Sequence, residues 1–194
     1  MAVALTVFGL VFVAELPDKT MIATLVMGSR FRPLLVWLGA TGAFAVHAAL
    51  AVAAGRLLQL LPHRWVEGIT AALFAAGALY LLLVPERSEE EAGEKEAARA
   101  RRAGGLRTAG TAFVVIFIGE FGDLTQILIA NLAAQYREPV AVFVGALAAL
   151  AAAAAAAAFG GRLLLRIAPL TVIRKIGGIV LVGFAAYSLA QLIG

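Results

Sequence analysis

Two short stretches set carboxylates and hydroxyls in the middle of otherwise apolar segments. They are Glu15-Leu16-Pro17-Asp18-Lys19-Thr20 and Glu120-Phe121-Gly122-Asp123-Leu124-Thr125, the second followed by Gln126. Their glutamates lie 105 residues apart. An ionised side chain at the centre of a membrane helix costs about 2.5 to 3.5 kcal/mol on insertion scales, so four carboxylates there mark a functional site. Residues three apart on a helix are separated by about 60° around its axis, which puts Glu15 beside Asp18 and Glu120 beside Asp123. Thr20 and Thr125 fall off that face in a regular helix and reach it only where the helix is distorted. Pro17, with no N–H to offer the Val13 carbonyl, and Gly119 with Gly122 supply the means of distortion.

The chemistry follows from the inventory. Four carboxylates and Lys19 carry a formal charge of −3, which a low-dielectric site cannot hold. It must take up protons or bind a cation, and the two compete. Carboxylate, hydroxyl, amide and carbonyl oxygens suit hard divalent ions such as Ca²⁺, Mn²⁺ or Mg²⁺. The chain has no cysteine and only two histidines, His47 and His63, which argues against zinc or copper. The candidate metal ligands are therefore Glu15, Asp18, Thr20, Glu120, Asp123, Thr125 and Gln126. Lys19, the basic residue deep in a span, is a candidate for balancing the charge; His47, in the second segment, is a candidate for handling protons or for a satisfied interior position.

The elements that must position these groups are long and apolar. Of 194 residues, 62% are hydrophobic and 14% charged, and the mean hydropathy is +0.95. A bilayer core is crossed by about 20 helical residues. Six segments meet that length: 2–28, 33–55, 65–84, 108–134, 139–161 and 170–193. The first has no basic stretch before it and carries Glu15, Asp18 and Lys19, so it reads as a retained span and not a cleaved leader. The net charge of +4 does not imply nucleic acid, because the basic residues flank the spans and form no interleaved patch. Twelve of them fall on one side, including Arg30, Arg32, Arg102 and Arg166, and three, Arg56, Arg64 and Arg137, on the other. By the positive-inside rule the first side is cytoplasmic, both termini face outward, and the connection 85–107 lies in the cytoplasm.

The chain is also written twice. Pro33 and Gly39 are echoed by Pro139 and Gly145, Gly55-Arg56 by Gly161-Arg162, and Pro62 with Tyr80 by Pro169 with Tyr187. Three spans per copy is an odd number, so the second copy enters the membrane from the opposite side. The fold class expected is an all-α polytopic membrane protein, six transmembrane helices as two inverted three-helix repeats. Residues 1–84 form the first repeat, 85–107 a charged linker and 108–194 the second repeat. In such folds the equivalent sites of the two halves meet near the midplane on discontinuous helices. The Ala151–Ala158 run reads as a packing surface that lets helices approach closely.

The duplicated motif resembles the signature of the transmembrane protein 165 family, also called the Gdt family of cation/proton exchangers. There Glu-x-Gly-Asp-(Lys/Arg)-(Thr/Ser) occurs once in each half of a six-helix protein. The resemblance covers the whole chain. It implies a shared acidic site for Mn²⁺ or Ca²⁺ as transported substrate, with protons as the exchanged partner, the lipid bilayer as surroundings, and no resident cofactor. It further implies export from the cytoplasm across a bacterial cell membrane. Pro17 stands where the family has Gly, and Leu124 where it has a basic residue, so any role of that residue falls to Lys19 alone. Two other classes fit an acidic six-helix chain, a membrane-embedded lipid pyrophosphate phosphatase and a small-solute exporter. The first needs Arg beside the carboxylates, which neither motif has, and the second needs donors for its substrate's carboxylate, where here the acidic groups outnumber the one basic group by four to one. Oligomerisation is left open by the sequence.

Overall fold

The computed structural model describes residues 1–15, 19–58, 60, 62–83 and 108–167, together with scattered helical positions from 175 to 190. Among the described residues the fold is all helical, with no strand. The helices are α1 (Ala2–Glu15), α2 (Lys19–Arg30), α3 (Pro33–Leu58), α4 (His63–Leu83), α5 (Thr108–Gly119), α6 (Leu124–Tyr136) and α7 (Pro139–Ile167). Pro33 and Pro139 open α3 and α7 at the position where a missing N–H costs nothing. Arg137, in the left-handed region at φ 54°, closes α6 just before Pro139.

Five of the six expected segments find their helices here, with one difference. Segments 33–55, 65–84 and 139–161 are continuous, as α3, α4 and α7. Segment 108–134 is two half-helices, α5 and α6, which meet at 75°. Segment 2–28 is described as α1 and α2, and residues 16–18 between them lie outside the described residues. The α5–α6 bend falls on the second motif, where a carboxylate pair and a glycine give a helix little reason to continue through the middle of an apolar span. The linker 85–107 and most of the sixth segment lie outside the described residues. Pro33–Leu58 and Pro139–Gly160 are each long and apolar enough to cross a membrane, and the bent α5–α6 pair makes a third crossing if it acts as one span.

Helices α3 and α7 pack against each other at the centre. Each then takes the broken pair of the other half: α5 and α6 lie on α3, while α1 and α2 lie on α7. Small residues set the closeness of these contacts. Gly39 of α3 faces the backbone carbonyl of Ala109 in α5, and Gly145 of α7 faces the carbonyl of Ala4 in α1. These are the same contact made twice, since Gly39 and Gly145 are repeat equivalents, as are Ala4 and Ala109. Gly28 of α2 meets the backbone of Ala158, and Gly55 of α3 meets the carbonyl of Ala130 in α6. The alanine run of α7 serves as the expected packing surface: Trp37 of α3 donates its indole Nε1–H to the Ala151 carbonyl at 2.9 Å. Apolar side chains fill this interior, among them Val36, Phe44, Ile116, Leu128 and Leu150. Others, such as Leu5, Leu34, Val114, Ile118, Val140 and Phe159, point outward. Helices apolar on both faces are what a lipid surround requires.

Candidate functional site

The first motif is built at the junction of α1 and α2. Glu15 ends α1 and is 2% exposed; Thr20, in the first turn of α2, is 1% exposed. The Thr20 hydroxyl donates to Glu15 Oε1 at 3.2 Å. The hydroxyl thus lies on the carboxylate, where residues five apart on a regular helix would not meet. Asp18 and the side chain of Lys19 lie outside the described residues.

The second motif is described throughout. The Glu120 N–H completes the last turn of α5 by donating to the Ile116 carbonyl at 2.9 Å. The chain then leaves the helix: the Asp123 N–H donates to the Glu120 carbonyl at 3.1 Å, and Gly122 takes φ 78°, a conformation that favours glycine. Asp123, extended at φ −70° and ψ 161°, is the N-cap of α6 but makes no side-chain capping bond. Gln126 instead reaches back to the turn before the helix, its Oε1 accepting the Gly122 N–H at 2.8 Å. The amide oxygen expected to ligate a cation thus also closes the turn. Glu120 is 4% exposed, Thr125 is buried, and Asp123 and Gln126 are partly buried.

Both glutamates sit at the C-terminal end of a half-helix, where the last carbonyls lack intrahelical partners and the macrodipole is negative. This surrounding favours a cation beside Glu15 and Glu120. Asp123 sits at the N-terminal end of α6, where the dipole favours a carboxylate. The halves also interlock at the breaks, since α1 touches α6 and α2 touches α5. Among the described residues no three His, Asp or Glu side chains are grouped closely enough to hold a metal.

His47 of α3 has a partner that its sequence neighbourhood does not disclose. It is 3% exposed, and its Nε2 lies 3.0 Å from the Phe117 carbonyl of α5. A carbonyl only accepts, so Nε2 carries the proton in this bond. Two buried polar residues complete the surroundings of the half-helices, Thr24 on α2 and Asn131 on α6. Asn131 donates Nδ2–H to the Ile127 carbonyl one turn earlier, at 2.9 Å. A lone amide within an apolar run was the signal for it in the sequence.

Comparison with known proteins gives the family. The family model described as "Divalent cation/proton antiporter GDT1" matches residues 3–89 and 108–193. GDT1-like protein sll0615 of Synechocystis is 30% identical over 92% of both chains. Protein PAM71-homolog, chloroplastic, of Arabidopsis thaliana is 26% identical over 92% of this chain, and GDT1-like protein 1, chloroplastic, of Oryza sativa subsp. indica is 29% identical over 96%. This chain covers 56% and 61% of the lengths of those two plant relatives. No solved structure matches it.

Proposed function

Because the chain belongs to the GDT1 family of divalent cation/proton antiporters, we propose that it exchanges a divalent cation, Mn²⁺ or Ca²⁺, for protons, at one acidic site formed near the membrane midplane by both motifs. The family is one of transporters, which sets aside the enzymatic alternative. The observation that carries the proposal is the burial of Glu15 and Glu120, the first with the Thr20 hydroxyl on it and the second at the bend between α5 and α6. Hard oxygen donors on broken backbone are the setting in which a membrane protein replaces the water around a cation.

The cycle follows from charge. Glu15, Asp18, Glu120 and Asp123 are too acidic a set to stand empty in lipid, so the site holds either the cation or protons as it passes from one face to the other. Thr20, Thr125 and Gln126 complete the oxygen shell, and Lys19 offsets charge when the cation leaves. The two halves rock about the α3–α7 contact and open the site to each side in turn. With both termini outward and residues 85–107 in the cytoplasm of a bacterial cell, the cation is carried out and protons in.

The test is cation flux into proteoliposomes across an imposed pH gradient. Uptake of Mn²⁺ or Ca²⁺ is expected to rise with a vesicle interior more acidic than the bath and to fall when a protonophore removes that gradient. Flux indifferent to the gradient would contradict exchange.

A further inference from the structure

The two copies of the motif differ in the chemistry they offer for interrupting a helix. Pro17 has no N–H to donate to the carbonyl four residues earlier. Its counterpart in the second copy is Gly122. Phe121, just before it, keeps its N–H, and the helical partner of that N–H is the Phe117 carbonyl. Nothing covalent prevents α5 from running on through Glu120.

In the structure that carbonyl is taken by another donor. His47, 70 residues away on α3, holds Nε2 at 3.0 Å from the Phe117 oxygen. Its ring stacks on Phe117 at 4.8 Å between centroids and meets Phe121 edge-on at 6.1 Å. The imidazole therefore contacts the residues on both sides of Glu120 in the chain. The first half has the same aromatic pair ahead of its motif, Phe8 and Phe12 stacked at 5.5 Å as Phe113 and Phe117 are at 5.7 Å. At the repeat offset of 105 to 106 the place of His47 falls on Ala152 or Ala153, and neither side chain has a donor. In the second half the acceptor of the next helical bond is occupied.

We propose that His47 is a positioning residue that keeps α5 from continuing past Gly119 and thereby fixes where the Glu120 carboxylate stands; its effect on transport rests on the reading of Glu120 as part of the cation site. The role needs one N–H at the place of Nε2 and no exchange of protons with the site. A side-chain amide of matching reach fills it. Glutamine puts its N–H close to the Nε2 position; asparagine, shorter, does not.

The experiment compares His47→Gln, His47→Asn and His47→Leu with the unmodified chain, reading the Mn²⁺ dependence and pH profile of flux and amide hydrogen exchange over the peptide containing Phe121. Residues that orient a metal's ligands typically affect affinity by about tenfold or more when removed. His47→Leu and His47→Asn are expected to raise the apparent KM about tenfold, and His47→Gln to stay within about threefold of the unmodified chain, the pH profile keeping its shape in all. Exchange at Phe121 is expected to slow in His47→Leu, where its N–H gains the Phe117 carbonyl, and to be unchanged in His47→Gln. If His47→Leu does not fold, the contrast between Gln and Asn decides. His47→Gln as impaired as Leu or Asn, with a flattened pH profile, would overturn the proposal in favour of a proton carrier; Leu or Asn indistinguishable from the unmodified chain would overturn it outright. Glu120→Gln in the same assay separates the two readings, because normal flux there removes the cation-site reading while the exchange result at Phe121 still stands or falls on its own.

Discussion

Glu120→Gln is expected to abolish cation flux, by more than about a hundredfold, while leaving the cation-free protein at least as stable as before. The carboxylate is 4% exposed at the end of α5, and glutamine has nearly its volume without its charge. A hundredfold loss corresponds to about 2.7 kcal/mol of binding or barrier, a size ordinary for a ligating carboxylate lost from a dry site. Removing a buried charge, on the other hand, relieves the electrostatic cost of the empty site. The two effects therefore run in opposite directions. Thermal unfolding with and without Mn²⁺ checks both, since a ligand that binds the native state raises stability by RT ln(1 + [L]/Kd). The unmodified chain is expected to gain stability with Mn²⁺, and Glu120→Gln to gain none. Glu15→Gln should behave in the same way, its amide oxygen still able to accept from the Thr20 hydroxyl. A variant that loses flux because it unfolds would show the reverse pattern in the cation-free state.

Gly39→Val and Gly145→Val are expected to be the most destabilising single changes outside the site, and to cost similar amounts. A Cβ at Gly39 would fall on the Ala109 carbonyl and come within 2.9 Å of the Ala112 Cβ; at Gly145 it would fall on the Ala4 carbonyl and within 3.1 Å of the Ala4 Cα. Backbone atoms cannot swing aside as a flexible side chain does, so α3 must part from α5, or α1 from α7. Overpacking a core costs about 1 to 3 kcal/mol, and these sites belong at or above the upper end. Gly9→Ala and Gly110→Ala serve as controls, because a Cβ at either meets nothing within 4 Å. They are expected to be neutral or to stabilise by about 0.5 to 1 kcal/mol through helix propensity. Unfolding in detergent compares all four. Equal losses at Gly39 and Gly145 would express the symmetry of the two contacts; a large loss at one alone would mean the halves do not share the load.

Much of this arrangement is legible in the chain, and the limits have physical causes. Periodicity and length place α3, α4 and α7 within a few residues, since a span of continuous hydrophobicity leaves no doubt of its type. The repeat was visible in glycines such as Gly39 and Gly145 because a backbone contact admits only one residue, whereas the side chains around them are free to differ. Thr20 illustrates a conditional inference: residues five apart do not share a face of a regular helix, so its bond to Glu15 was expected only where the helix is distorted. Gln126 was read as a cation ligand. Once Asp123 is seen to open a new helix, the same residue stands at its third position, where an amide caps the preceding turn. His47 was legible as a candidate for handling protons or for a satisfied interior position, but its partner was not, because that partner is a backbone carbonyl 70 residues away. Tertiary hydrogen bonds to main chain leave no pattern in the residue that accepts them.

The claim on which the rest depends is that the two motifs make one site and not two. Equilibrium binding of Mn²⁺ to the purified chain measures this directly, with Glu15→Gln and Glu120→Gln alongside. The expected result is one Mn²⁺ per chain, released by acid, and loss of that single site in either variant. Two ions per chain, or one ion retained when either glutamate alone is neutralised, would contradict it.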